Sequence, residues 1–132
     1  MTQSPSDAMI DGGRRLLSIR PDDPEVIEVQ CSLLMDQYAS SAPNGNIEET
    51  KVLLDRFMRL QPESAPGHAM FARFFHQQFT RHPDNVELAT RALDAYEQFI
   101  AKSDPRDAFR SAAIRYATRL RDKIAIAKQS PH

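Results

Sequence analysis

Along the chain, apolar side chains recur at steps of three and four residues, as in Val52, Leu53, Phe57, Leu60 and again in Leu88, Ala92, Tyr96, Phe99. That is the period of a helix buried on one face, and no gap between these runs has the alternation of a strand. The runs open on helix start signals. Asp23-Pro24 and Asp104-Pro105 each set a carboxylate acceptor before a proline, whose missing N–H costs nothing in the first turn. Ser4-Pro5 followed by Asp7, and Ser64-Ala65-Pro66, read the same way. Asn46 with Glu49 and Asp84 with Glu87 have capping-box spacing, in which the cap accepts from the third helical amide and the Glu reaches back. The pattern predicts six helices, over roughly 5–19, 24–41, 47–60, 65–81, 85–102 and 105–128.

Breakers separate these runs at Ala42-Pro43-Asn44-Gly45 and at Arg81-His82-Pro83-Asp84, and such short links favour antiparallel neighbours. Three prolines, Pro21, Pro62 and Pro105, follow helical runs at intervals of 41 and 43 residues. A recurrence of this kind marks an array of stacked helix pairs with a shared core. The expected fold is all-α, a single helical-repeat domain over 1–132 whose ends, 1–4 and 129–132, fray.

The chain has 132 residues, a length at which a domain buries about two-thirds of the surface its unfolded chain exposes. With 17 basic and 18 acidic side chains it is almost neutral, so its overall charge does not call for nucleic acid or a membrane. The distribution is uneven: residues 1–104 carry 10 basic and 16 acidic side chains, whereas residues 105–132 carry 7 and 2. Cys31 is alone, which excludes an internal disulfide and a cysteine-rich zinc site. The start of the chain lacks the basic and apolar regions of a signal peptide, and no stretch approaches the ~20 apolar residues that span a bilayer. The expectation is a cytoplasmic protein without a membrane segment.

The repeat spacing resembles the tetratricopeptide family. In that register the helix after each closing proline carries large, large, small and large residues. Here these are Ile27, Gln30, Cys31 and Leu34; His68, Phe71, Ala72 and Phe75; and, with a one-residue slip, Phe109, Ala112, Ala113 and Tyr116. Thr50, Leu54, Phe57 and Ala92, Tyr96, Phe99 sit where the preceding helices of the family pack small and aromatic residues. The chain departs from the family in its period, longer than about 34 residues, and in lacking the characteristic tryptophan and glycine. The resemblance implies a short right-handed α-solenoid whose first-type helices line a concave groove. Carried over by register, the lining would be Glu25, Glu28, Ser32, Met35 and Asp36, then Arg73, His76 and Gln77, then Arg110. The Lys and Asn set with which some members clamp a carboxylate is absent, since Glu28 and Ser32 stand in the first pair of positions.

Other features have plainer readings. Met70, Phe71, Phe74, Phe75 and Phe79 form a stripe that fits a central packed helix, with Met70 and Phe74 its most exposed members. His68 and His76 have no ligand-forming partner at helical spacing, so no metal is implied. His68 reads as a satisfied core or interfacial residue, His76 as a groove residue, and His82 as a partner of a helix C-terminus. Cys31 stands at a small-residue packing position. Asp22, Asp23, Glu25 and Glu48, Glu49 complement helix dipoles. Gly12-Gly13 lacks the setting of a phosphate loop, and no nucleophile–base constellation stands out. No cofactor is implied.

The reading of function is a noncatalytic scaffold that binds a peptide or helix of a partner protein, acidic in part, through Glu28, Ser32, Met35, Arg73, His76, Gln77 and Arg110. Self-association is open to it as well. The alternative is a nucleic-acid-associated module using the basic last helix, 105–128. There Arg106, Arg110, Arg121 and Lys128 flank the apolar arc on one side, and Arg115, Arg119 and Lys123 on the other. That split suits the edge of a core better than a nucleic-acid stripe. A small helical enzyme or metal carrier is the third and least supported class.

Overall fold

The computed structural model describes residues 5–40 and 46–129, and among them it is all-α, with six helices and no strand. They are α1 (Pro5–Ile19), α2 (Pro24–Ser40), α3 (Ile47–Leu60), α4 (Ala65–Arg81), α5 (Val86–Lys102) and α6 (Arg110–Gln129). The expected Ser4 cap and Ala42-Pro43-Asn44-Gly45 breaker lie outside the described residues, as do the ends expected to fray, 1–4 and 129–132, except for Gln129, the last residue of α6. Contacts gather the chain into two compact units, Met1–Pro62 with α1 to α3 and Glu63–His132 with α4 to α6.

In the first unit α1 and α3 both pack on α2. The middle helix therefore buries the most: Ile27, Gln30, Cys31, Leu34, Met35 and Tyr38, while α1 contributes Ile10 and α3 contributes Leu53, Leu54 and Phe57. Asp23 caps α2 as its spacing predicts, its Oδ1 accepting from Glu25 N at 3.1 Å and Val26 N at 3.4 Å. Asn46 does not form a capping box. Its backbone is left-handed, at φ 65°, and its amide donates to Gln37 Oε1 while Glu49 receives a two-pronged pair from Arg14 at 2.9 and 2.7 Å. Glu49 thus ties α3 to α1, a use that competes directly with capping.

In the second unit α4 and α6 both pack on α5. The small residues Ala72 on α4, Ala89, Ala92 and Ala95 on α5, and Ala113 and Ala117 on α6 are buried together, which lets the helices approach and packs Phe79, Tyr96, Phe99, Leu120 and Ile124 around them. Ser64 caps α4 by accepting from Gly67 N at 3.2 Å, with Pro66 in the first turn. At α5 the cap is Asn85, which accepts from Leu88 N at 3.2 Å, rather than Asp84; Glu87 turns outward to Arg91 at 2.8 Å.

The last helix begins at Arg110, five residues beyond the predicted Pro105. Two successive aspartate turns take up the interval. Asp104 Oδ1 accepts from Arg106 N at 2.8 Å, and Asp107 Oδ1 accepts from Phe109 N at 2.8 Å. Because Asp104 closes a turn on the residue two ahead, Pro105 sits in that turn and not in a helix.

Candidate functional site

The second unit holds the best-formed candidate. The backbones of α4 and α6 both rest on α5 and stay apart from each other, so the space between them is bridged by side chains alone. His76 of α4 reaches across this space. Its Nδ1 is hydrogen-bonded to the Tyr96 hydroxyl of α5 at 2.7 Å, and its ring stands edge-on to Tyr96 and to Tyr116 of α6, at centroid distances of 5.6 and 5.3 Å. Tyr96 and Tyr116 also meet at 5.6 Å, and the aromatic chain runs on through Phe109 to Phe99.

Beyond this bridge, towards the C-terminal ends of α4 and α6, lies a cavity of about 680 Å³. Phe79, Val86, Ala89, Ile124 and Ile126 make it mainly apolar, with Lys123 and Asp84 as its charged members. The Lys123 ammonium sits over the Phe79 ring, 5.6 Å from its centroid. Among the described residues no carboxylate pairs with Lys123. A groove with an aromatic wall, an apolar recess and a cation that has no ion-pair partner among the described residues therefore runs along α4 and α6 over α5.

The electrostatics follow from burial and that cation. Burial, and then Lys123, lower the pKa of His76 below its ordinary value, so the imidazole is neutral at physiological pH. Burial raises the Tyr96 phenol, as does neighbouring Tyr116, and Arg73 opposes them. Tyr96 consequently keeps its proton, and the bridge is a neutral hydrogen-bonded pair with positive groups on either side. No nucleophile and general base face one another here, and among the described residues no group of His, Cys, Asp and Glu side chains is arranged to hold a metal ion.

The structure places Arg73 and His76 at this groove on α4, with Gln77 the next residue after His76 and half-buried. Arg110 belongs to a different flank. At ~100° per residue it lies about 120° around α6 from Tyr116, and its Nε is buried without a hydrogen-bond partner. Glu28, Ser32 and Met35 are in the first unit; Glu28 and Ser32 are half-buried, and Met35, at 2% exposure, is enclosed.

Two further expectations change. Met70 and Phe74 are buried, not exposed, and it is Phe71 and Phe75 that stay partly accessible where they pack on the core. His68 is half-buried but not satisfied, because its Nε2 is enclosed with no hydrogen-bond partner, and burial lowers its pKa. Sequence reasoning passed over Tyr96, Tyr116 and Lys123 as groove residues. Their apolar spacing marked the tyrosines as core, and only the facing histidine gives their hydroxyl edges a role; Lys123 read as one flanking cation among several.

No family model, curated protein or solved structure matches this chain. Among the described residues, no helix is long and apolar enough to cross a membrane.

Proposed function

We propose that this chain is a noncatalytic interaction module that holds a peptide or helix of a partner protein in the groove of its second unit. One observation carries the reading: the His76–Tyr96–Tyr116 bridge opens on an apolar recess beside an unpaired Lys123. An aliphatic or aromatic anchor of the partner fills the recess, and an acidic group beside it meets Lys123 and Arg73. Burial of the anchor supplies most of the affinity, and the charges set orientation and choice of partner. The spacing of Pro21, Pro62 and Pro105 is what suggests a tetratricopeptide-like repeat. A cytoplasmic setting suits a lone, enclosed cysteine.

The test is selection of peptides from a random display library against the folded chain, followed by titration of the winners. Winners should pair an apolar anchor with an acidic residue, and a Lys123→Glu and Arg73→Glu double change should weaken them at least about tenfold with the helical circular dichroism unchanged. Winners that bind the doubly changed protein as tightly would overturn the groove reading.

A second reading draws on a separate observation. Arg115, Arg119 and Lys128 on α6 have no carboxylate partner among the described residues, which suits phosphate contacts. That reading requires binding of oligonucleotides with a steep salt dependence, and it ends if none binds at low salt.

A further inference from the structure

The hydrogen bond between His76 and Tyr96 settles which nitrogen of the imidazole carries its proton. A neutral imidazole has one N–H, on Nδ1 or on Nε2, and a contact at Nδ1 can be made either way, with donor and acceptor exchanged. The hydroxyl decides between the two. Tyr96 is 2% exposed, and among the described residues its oxygen has no hydrogen-bond partner besides His76. A proton on Nδ1 would leave the phenolic O–H enclosed without an acceptor, the costly arrangement for a buried donor. With Nδ1 as acceptor the phenolic proton is placed, and the imidazole's own proton is on Nε2.

That Nε2 is open to a ligand. His76 is half-buried, its Nε2 is not enclosed, and no described residue bonds it. The ring is held on two sides, by the bond to Tyr96 and by the edge-on ring of Tyr116 at 5.3 Å, so packing sets the direction of the N–H. The charges felt at this pair are of one sign. Lys123 of α6 lowers the imidazole pKa and Arg73 of α4 lowers that of the Tyr96 phenol, whereas Asp84, the carboxylate of the recess wall, acts on neither. A group arriving at Nε2 therefore meets a fixed donor in a positive field.

We propose that Tyr96 fixes His76 as an N–H donor to the groove, and that the group this donor receives is a carboxylate of the partner. The inference deepens the peptide-groove reading and rests on it. A carboxylate accepts the hydrogen bond and also carries the charge that suits Lys123; an amide accepts without charge, and an amine brings a further donor to a site made of donors. The two cationic and neutral groups divide the task. Lys123 is a point charge on a flexible stem and attracts an anion without aiming it, while the imidazole N–H is held by two neighbouring rings and gives the contact its direction. Tyr96 acts through His76 and does not touch the partner, so it is a positioning residue.

Nitrogen-15 NMR of the full chain at pH ~7.5, where a histidine of ordinary pKa is mostly neutral, reads the tautomer of each imidazole, and His76→Gln assigns the His76 signals by their loss. The unaltered chain should show His76 with a bare Nδ1 and a protonated Nε2, and Tyr96→Phe should turn that pattern into a mixture of tautomers. A protonated Nδ1 in the unaltered chain overturns the proposal, and so does an unchanged pattern in Tyr96→Phe. The second arm titrates 3-phenylpropionate, an apolar ring joined to one carboxylate, beside 3-phenylpropionamide and 3-phenylpropylamine. The acid should shift the His76 Nε2 signal to saturation and bind at least about fivefold more tightly than either control. His76→Phe, which keeps a ring and removes the donor, should weaken the acid by a similar factor with the helical circular dichroism unchanged. An acid that saturates without moving His76, or binds no better than its amide, overturns the proposal. The tautomer of the free chain needs no partner and no variant that must fold, so a wrong tautomer ends this inference and leaves the groove reading in place. The expected tautomer, with neither the acid nor any displayed peptide bound, ends the groove reading and the carboxylate with it.

Discussion

Gly13 and Gln30 occupy the same space: a Cβ built on Gly13 would stand 1.8 Å from Gln30 Oε1 and 2.6 Å from its Cδ. The carboxamide is 1% exposed and held from the other side, where Nε2 donates to Ile10 O at 2.9 Å. Glycine at this point lets α1 settle onto a buried polar side chain of α2, which cannot swing away without losing its one hydrogen bond. Gly13→Ala should therefore destabilise the protein by about 1–3 kcal/mol, the usual cost of overpacking. Gly12→Ala is the control. Its Cβ would meet only the far end of Arg15, at 3.9 Å, so the higher helix propensity of alanine should stabilise by up to about 1 kcal/mol. Urea unfolding of both variants decides it; equal effects at the two glycines would refute the close approach.

Acidification should weaken the fold through two histidines. The pKa values of His68 and His76 both lie below the ordinary 6.5. Burial is the first cause in each case, and a lysine, Lys102 or Lys123, is the second. The unfolded chain then takes up protons more readily than the folded one, so stability is full above the ordinary imidazole value and declines as pH falls through the depressed folded values. Tm measured from pH ~7.5 to ~5 should drop, beyond the effect of the carboxylates, by less in His76→Gln and in His68→Gln than in the unaltered chain. Identical pH profiles in all three would show that neither imidazole is held neutral by the fold.

Cys31 should be silent in the native state. It is fully buried, and its thiol is pushed up to about 12 by burial first and by the carboxylates of Glu28 and Glu49 next. Iodoacetamide at neutral pH should leave the folded chain unmodified and alkylate it at the rate of opening once denaturant is added. Mass spectrometry reads the single adduct, and rapid labelling of the native protein would contradict the packing of α2.

Much of the helical order was legible along the chain because its causes are local. The three-and-four spacing of apolar residues, the Asp23-Pro24 and Ser64-Ala65-Pro66 starts, and the breaker at His82-Pro83 act within a turn or two, where neighbours in sequence are neighbours in space. Cys31, Ala72 and Ala113, read as close-packing positions, are each fully buried, since a small residue on an apolar helical face has few other uses. Where two local solutions competed, sequence spacing alone did not rank them. Asp104 closes an aspartate turn and delays α6 to Arg110, and Glu49 serves Arg14 in place of a capping box.

What the tertiary structure decided are the relationships between residues far apart in the chain. Pairing of Arg14 with Glu49 spans 35 positions, and the bond between Gln30 and Ile10 spans 20. The His76–Tyr96 bond and the Tyr116 ring beside it need α4, α5 and α6 in place together. A sequence fixes which faces are apolar, but burial, desolvation and the partners of a polar atom depend on which faces meet, and that is a property of the packed helices and not of any one of them.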